Sequence, residues 1–265
     1  LVKLMNDADR GETLSNNYTF TMAASADEIT PQFIQGNIDI ACVPANLASV
    51  LYNKTEGNVQ VLAINTYGIL YIVENGDTVN SVADLKGKNV SIGDSGSGVY
   101  FNAMDVLGAY DLTEKDINPT YQSFGDSAEA LQDGKIDAAF VVAGAPTTAI
   151  TSLAATKQVY LVGLDQEHID ALVAESPYYS SYTMSDAVKE AYKLTGDVTT
   201  VAVGAVVIAR DDVSDADVYN FLYGIFENLD AITAAHAKGA ELSLKFASSY
   251  GAVPYHPGAV AYFAD

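Results

Sequence analysis

The chain has one cysteine, no tryptophan, two arginines and three histidines, and each scarcity removes a class of chemistry. With Cys42 alone, no internal disulfide can form, and this decides nothing about compartment, because many exported bacterial proteins also lack disulfides. Cys42 falls in an apolar strand pattern, where it reads as a small buried hydrophobe rather than a reactive thiol. His168, His236, His256 and Cys42 show no metal-ligand spacing, so no metal or other cofactor is expected. Thirteen basic against 34 acidic residues give a formal net charge of −21. Nucleic acid is therefore not an expected partner, since phosphate binding needs clustered Lys and Arg. The acidic surface serves solubility. No run of 18 apolar residues occurs, so no membrane-spanning helix is expected. No signal peptide is visible either, and Leu1-Val-Lys-Leu-Met reads as a trimmed start rather than an initiator sequence.

What is present is an ordinary globular composition, 49% apolar and 18% charged, over 265 residues. That length suits one large domain or two lobes of roughly 100–150 residues each. A stretch that occurs twice favours the lobes. Residues 33–46 read FIQGNIDIACVPAN, and residues 131–144 read LQDGKIDAAFVVAG, sharing the skeleton Gly-x-Ile-Asp-x-Ala. Both copies follow a helix-start pattern at the same offset, Ser25 with Glu28 and Ser123 with Asp126, where side chains can satisfy the free amides of a first turn. Each copy is predicted to be a helix, a glycine stop and a buried strand. One repetition at so long a period suggests two similar α/β lobes rather than a solenoid. In such proteins the functional site usually lies in the cleft between lobes.

Along the chain, residues 1–8 read as the later part of a helix and Tyr18–Met22 as a short strand. Helices are predicted at 46–52, 99–110, 146–155, 165–175 and 215–237. Strands are predicted at 59–65, 69–73, 89–92, 159–164 and 199–208. Residues 176–184, with Tyr178, Tyr179 and Tyr182, read as irregular. Strands and helices alternate nearly throughout, so the class is α/β with mostly parallel sheets. No Pro- or Ser-rich linker separates the halves, which must be joined by strands or tight crossings.

The glycine-rich turn Gly93-Asp-Ser-Gly-Ser-Gly98 sits between a strand and a helix, where small residues let backbone amides converge on an anion. It lacks the Gly-Lys-Ser/Thr of a P-loop and the third-glycine spacing of a dinucleotide site. A nucleophile elbow needs glycine where Ser97 stands, and no histidine partner is evident. The turn reads as a ligand-binding turn or as a purely structural one. Asp39 and Asp137 each precede a strand, where aspartate commonly caps a turn. Tyr67, Tyr100 and Tyr182 fall near the proposed cleft segments and could line a pocket.

Asp84-Leu-Lys-Gly-Lys88, the turn Gly93–Gly98, Gly134-Lys-Ile-Asp-Ala-Ala-Phe140, Ala143-Gly-Ala-Pro146 and the tail Pro254-Tyr-His-Pro-Gly-Ala259 together resemble the TAXI family of TRAP-transporter solute-binding proteins. Residues 1–80, with Val43-Pro-Ala-Asn-Leu-Ala48, are more similar to ABC-transporter binding proteins of the sulfonate and thiamine-precursor type. Both resemblances imply the two-lobed type II periplasmic-binding-protein fold, a Venus-flytrap that closes on a small solute and delivers it to a membrane permease.

Lobe one is then expected at 1–88 and 204–265, and lobe two at 89–203. Both families open with a strand and a glycine-rich turn, whereas this chain opens inside the following helix, so a central strand of lobe one is expected to be missing. The matching ligand-binding positions are Ser25, Pro44, Asn46, Asn65 and Tyr67, with Ser95, Ser97, Gly98, Ala143 and Gly144 from lobe two. They fall at strand ends and helix starts, where open α/β sheets bind ligands.

The resemblance implies a monomeric, non-enzymatic, periplasmic or cell-surface lipoprotein that binds a small carboxylate or glutamate-like amino acid for a TRAP permease. The alternative is an ABC-transporter protein for a sulfonate or thiamine-precursor-like solute. An enzyme on the same scaffold, of the porphobilinogen-deaminase or pyrimidine-precursor synthase kind, would need a cofactor cysteine or a histidine-lysine site.

Overall fold

The computed structural model describes residues 16–23, 26–74, 76, 78–235, 239–240 and 242–265. The predicted helix at 1–8, Ser25 and His236 lie outside them. In chain order the elements are α1 (Ala26–Ile34), β1 (Ile40–Pro44), α2 (Ala45–Lys54), β2 (Val59–Glu74), β3 (Asn89–Ser91), α3 (Gly98–Ala109), β4 (Asn118–Thr120), α4 (Phe124–Asp133), β5 (Ala138–Ala143) and α5 (Thr148–Thr156). Then follow β6 (Tyr160–Val162), α6 (Gln166–Glu175), β7 (Tyr179–Thr183), α7 (Asp186–Tyr192), β8 (Thr199–Arg210), α8 (Asp215–Phe226), α9 (Leu229–Ala235), α10 (Leu244–Ala247) and α11 (Pro257–Ala264).

The chain divides into unit 1, Leu1–Thr66 with Gly204–Asp265, and unit 2, Tyr67–Val203. The sequence places the first crossing near residue 88, but the units divide inside a strand. Residues 59–65 and 69–73, expected as two strands, are one 16-residue strand, β2. Thr66-Tyr67-Gly68 carries no turn former that would break it, since glycine alone weakens a strand without ending it.

The second repeat copy folds as its residues dictate. Ser123 caps α4, its hydroxyl accepting the Asp126 N–H at 3.2 Å. Gly134 ends the helix at φ 70°, a left-handed conformation that costs glycine nothing. In the first copy Gly36 plays the same part at φ 79°. The two aspartates tie strand ends together: Asp137 Oδ2, just before β5, accepts the Asn89 N–H at the start of β3 at 2.8 Å, and Asp39 Oδ1, just before β1, accepts from Arg210 Nη2 at the end of β8 at 3.0 Å.

The class is α/β, and the sheet is mixed where mostly parallel pairing was expected. In unit 2, β3 runs parallel to β4 and β5, because the helices α3 and α4 supply the crossovers that parallel strands require. The pairs β2–β5, β2–β6, β7–β8 and, in unit 1, β1–β8 are antiparallel. The tyrosine-rich stretch expected to be irregular supplies β7, with Tyr179 opposite Val203 and Tyr182 opposite Thr200.

Three further expectations are corrected. Tyr18–Met22 forms no strand; Asn16 Nδ2 donates to Asp217 O at 2.9 Å and the Tyr18 ring meets Phe221, which ties this segment to α8. The single helix expected over 215–237 breaks after Phe226, where Asn228 Nδ2 turns back to bond Gly224 O at 2.8 Å. Cys42 is exposed, not buried. On β1 the alternation turns Ala41 and Val43 inward and Cys42 outward.

Each unit has its own core. In unit 2, Ile69, Tyr71 and Val73 of β2 and Val141 of β5 pack under Leu131, Ile150, Leu153 and Val188 from α4, α5 and α7. In unit 1, Leu62 and Val207 pack under Phe221, Leu222 and Ile225 of α8 and Ala259 of α11. Each such side chain contributes about 1.5–3 kcal/mol on burial.

Candidate functional site

In unit 2 the parallel run of β4, β3 and β5 delivers three carboxyl ends to one end of the sheet, and β2, antiparallel to β5 with Ile69 opposite Ala143, brings Tyr67 to that same end. The turn after β3, the residues after β5 and the start of the unit 2 half of β2 are therefore neighbours. This brings Tyr67, Ser95, Ser97, Gly98, Ala143 and Gly144 to one end of unit 2.

The turn after β3 is tightly built. Gly93 sits at φ 78°, and a Cβ there would lie 2.6 Å from Val99 Cβ, so a larger residue would force the turn apart. Ser97 is only 6% exposed and caps α3, its Oγ accepting the Tyr100 N–H at 3.1 Å. Gly98 is buried as the first helical residue, while Ser95 is exposed. Accepting that bond leaves Ser97 its one hydroxyl proton, which can rotate to donate to an anion, and the positive end of the α3 dipole favours one.

Beside this turn the Tyr100 hydroxyl donates to Glu114 Oε2 at 3.2 Å, and the Tyr121 hydroxyl donates to the other carboxylate oxygen. The Tyr100 and Tyr121 ring centroids are 6.4 Å apart. Tyr121 was not singled out from the sequence, because Asn118-Pro-Thr120 is too short to read as a strand, and only the β4 pairing places it. Tyr182, by contrast, packs against the unit 2 core.

After β5, Gly144 is exposed and its carbonyl accepts the Thr147 hydroxyl at 3.0 Å. Thr147 precedes α5 without capping it by its side chain. It is instead engaged by Tyr71 and Tyr192 from the core, 2.7 Å from Thr147 Oγ1 and 2.5 Å from its N respectively.

In unit 1, Pro44 ends β1 opposite Ala205 and stands before α2 with an extended backbone. A Cβ on Gly204 would lie 2.6 Å from Ile64 Cδ1 and 3.7 Å from Ala45 Cβ, so the β1 end and the Ile64-Asn65 step of β2 are side by side. Asn46 is 2% exposed on the first turn of α2. Asn65 Oδ1 is buried without a hydrogen-bond partner. Tyr250 donates to Ala45 O at 3.0 Å, so the tail fixes the start of α2. Thus Pro44, Asn46 and Asn65 belong to neighbouring segments of unit 1, while Ser25 lies outside the described residues.

A cavity of about 450 Å³ in unit 1 is lined by Phe33, Lys54, Thr55, Arg210 and Asp212 among others. It lies at the opposite ends of β1 and β8, and none of the predicted site residues lines it. Arg210 is committed to structure there: its guanidinium donates to Ile38 O at 2.5 Å, Asp39 and Asp212. Among the described residues no group of His, Cys, Asp and Glu is placed to hold a metal ion.

The model of the NMT1-like family matches residues 43–265. The chain belongs to the NMT1-like family. The match includes the turn after β3, the segment after β5 and the Pro-Tyr-His-Pro-Gly-Ala tail.

Solved structures extend the likeness to almost the whole NMT1-like chain. The alkanesulfonate-binding protein SsuA from Xanthomonas axonopodis pv. citri, bound to MOPS, superposes with a TM-score of 0.53 at 14% identity, covering 99% of this chain and 77% of that one. An ancestral arginine-binding protein bound to arginine gives 0.54 at 14% identity, covering 93% and 85%. The periplasmic aliphatic sulphonate-binding protein SsuA from Escherichia coli gives 0.49 at 15% identity, covering 91% of this chain, which spans 66% of that protein's length. The first two likenesses give this NMT1-like chain the periplasmic-binding-protein fold.

Proposed function

We propose that this protein is an extracytoplasmic solute-binding protein that takes up a small anionic solute of the sulfonate type and passes it to the membrane permease of an ABC transporter. The observation that carries the reading is the convergence, at one sheet end of unit 2, of the Ser97-capped start of α3, Tyr67 and the Ala143-Gly144 segment, as at the strand ends where open α/β sheets bind ligands. Family membership and the binding-protein fold support it, and among the solved relatives one holds MOPS, itself a sulfonate.

Tyr67, Ser95, Ser97, Gly98, Ala143 and Gly144 are the ligand contacts that unit 2 offers in this reading, and Pro44, Asn46 and Asn65 are the candidate contacts within unit 1. The buried, unpartnered Asn65 Oδ1 is an acceptor that a ligand hydroxyl or amine can satisfy. The anionic group is held by amides and hydroxyls rather than by Arg210, the one arginine among the described residues, which is already engaged by Asp39 and Asp212. Catalysis is not part of the reading. Neither is TRAP coupling for a carboxylate, which the comparisons leave without support.

Calorimetry with ethanesulfonate, MOPS, arginine and glutamate tests it. Sulfonate binding in preference to glutamate, with every ligand recovered intact, is expected. Chemical turnover of a bound ligand would refute the non-enzymatic reading, and a clear preference for glutamate would return the carboxylate reading to first place.

A further inference from the structure

Tyr71 and Tyr192 are completely buried in the unit 2 core, on β2 and at the end of α7. Tyrosine hydroxyls in an apolar core are unfavourable unless bonded, and phenylalanine would fill the same space. Their bonds all lead to one segment. The Tyr192 hydroxyl lies 2.5 Å from Thr147 N and 3.0 Å from the Tyr71 hydroxyl, and the latter lies 2.7 Å from Thr147 Oγ1, which in turn is 3.0 Å from Gly144 O.

The direction of every proton in this set is forced. The Thr147 N–H can only donate, so Tyr192 accepts it. The Gly144 carbonyl can only accept, so the Thr147 hydroxyl spends its single proton there. Tyr71 must then donate to Thr147 Oγ1, and Tyr192 must donate to Tyr71. The result is a one-way relay that leaves Thr147 through its amide, passes through two core hydroxyls and returns to Thr147 and Gly144. Each hydroxyl gives one bond and takes one, so no buried oxygen is left unmatched and the bonds reinforce one another.

We propose that Tyr71 and Tyr192 are positioning residues for solute binding, holding Gly144 to Thr147 in a single conformation from within the core. This rests on the binding reading above, in which Ala143 and Gly144 contact the solute. The Gly144 carbonyl is turned to the Thr147 hydroxyl and the Thr147 N–H to Tyr192, so the relay fixes both ends of the segment. Neither tyrosine touches the solute; each acts through Thr147.

The test compares Tyr192→Phe and Thr147→Val with Val188→Ala, which removes a fully buried core side chain of α7 outside the relay. Thr147→Val alters a half-buried loop position and keeps the variant set informative if Tyr192→Phe folds poorly. Affinity for ethanesulfonate, melting temperature and amide exchange at Thr147 are read for each. Relay variants are expected to weaken affinity about tenfold, and Tyr192→Phe to speed Thr147 exchange by a similar factor, while Val188→Ala lowers the melting temperature with affinity unchanged. If affinity follows melting temperature alike in all three, the tyrosines are ordinary core residues and the proposal fails. If the wild type binds no solute, the transport reading falls, and the relay is judged by exchange alone: Thr147 exchange unchanged in Tyr192→Phe overturns it.

Discussion

Asp137 Oδ2 accepts the Asn89 backbone N–H at 2.8 Å, joining the residue before β5 to the first residue of the parallel strand β3, and the Asp137 N–H returns a bond to Asn89 O at 2.8 Å. The aspartate of the repeated Gly-x-Ile-Asp unit is thus a clamp at the start of the sheet, at the end away from the proposed ligand contacts. Asp137→Ala is expected to lose about 1–3 kcal/mol of stability with solute affinity preserved, measured by urea unfolding and calorimetry. Asp137→Asn, which keeps an acceptor, should lose less.

Ser97 and Arg210 separate binding from structure. Ser97→Ala removes the α3 cap, costing about 1 kcal/mol of stability, and should weaken ethanesulfonate binding by about tenfold. Arg210→Ala frees Asp39 and Asp212 and lowers stability, yet should leave affinity nearly unchanged. Calorimetry on both variants decides: loss of binding in Arg210→Ala with none in Ser97→Ala would place the anion elsewhere.

Asp105 predicts a pH dependence. Burial raises its carboxyl above the usual aspartate range, against the lowering effect of the Tyr179 and Tyr178 hydroxyls. An acid raised in the fold prefers its neutral form there, so this contribution to stability is complete below the unfolded value near pH 3.9 and is lost as pH rises through the folded value. Asp105→Asn stays neutral and can still accept from Tyr179. The stability difference between variant and wild type is expected to grow in the variant's favour from about pH 4 upward and then level off, as read by melting temperature across a pH series. A difference constant with pH would mean Asp105 is not raised.

Gly258, in the tail motif, predicts a steric failure. A Cβ there would lie 2.3 Å from Asp215 O and 2.9 Å from Asp215 Cα, both backbone atoms of the α8 start. Gly258→Ala must push α11 from α8, and a loss of about 1–3 kcal/mol or more is expected by urea unfolding. Val260→Ala, at an exposed position of the same helix, serves as the neutral control.

Much of the architecture was legible in the sequence because its signals are local. Ser123 and Gly134 delimit α4 as capping chemistry requires, and the Gly93–Gly98 turn falls between a strand and a helix as expected. What was not legible depends on partners distant in the chain. Residues 179–183 are polar and aromatic without clean alternation, and only β8 makes them a strand. Cys42 sits in an apolar run that looks buried, but whether its face of β1 is covered is set by other elements. Of the candidate site, the positions beside glycine turns are the ones that the sequence can nominate, since small residues mark them. Tyr121, Tyr71 and Tyr192 could not, because nothing local distinguishes a tyrosine whose hydroxyl has a distant partner from one that merely packs.

The pairing of β1 has a consequence for the protein as it is made. Among the described residues its strand partner is β8, with Ile40 opposite Ala209, a separation of 209 − 40 = 169 residues. At about 5–20 residues per second, a ribosome needs roughly 10–30 s after releasing β1 to deliver that partner. Throughout this interval Ile40-Ala-Cys-Val-Pro44 lacks its β8 partner, the kind of segment on which nascent chains aggregate. Unit 2, one continuous stretch of chain, can fold during that wait; unit 1 must be completed last.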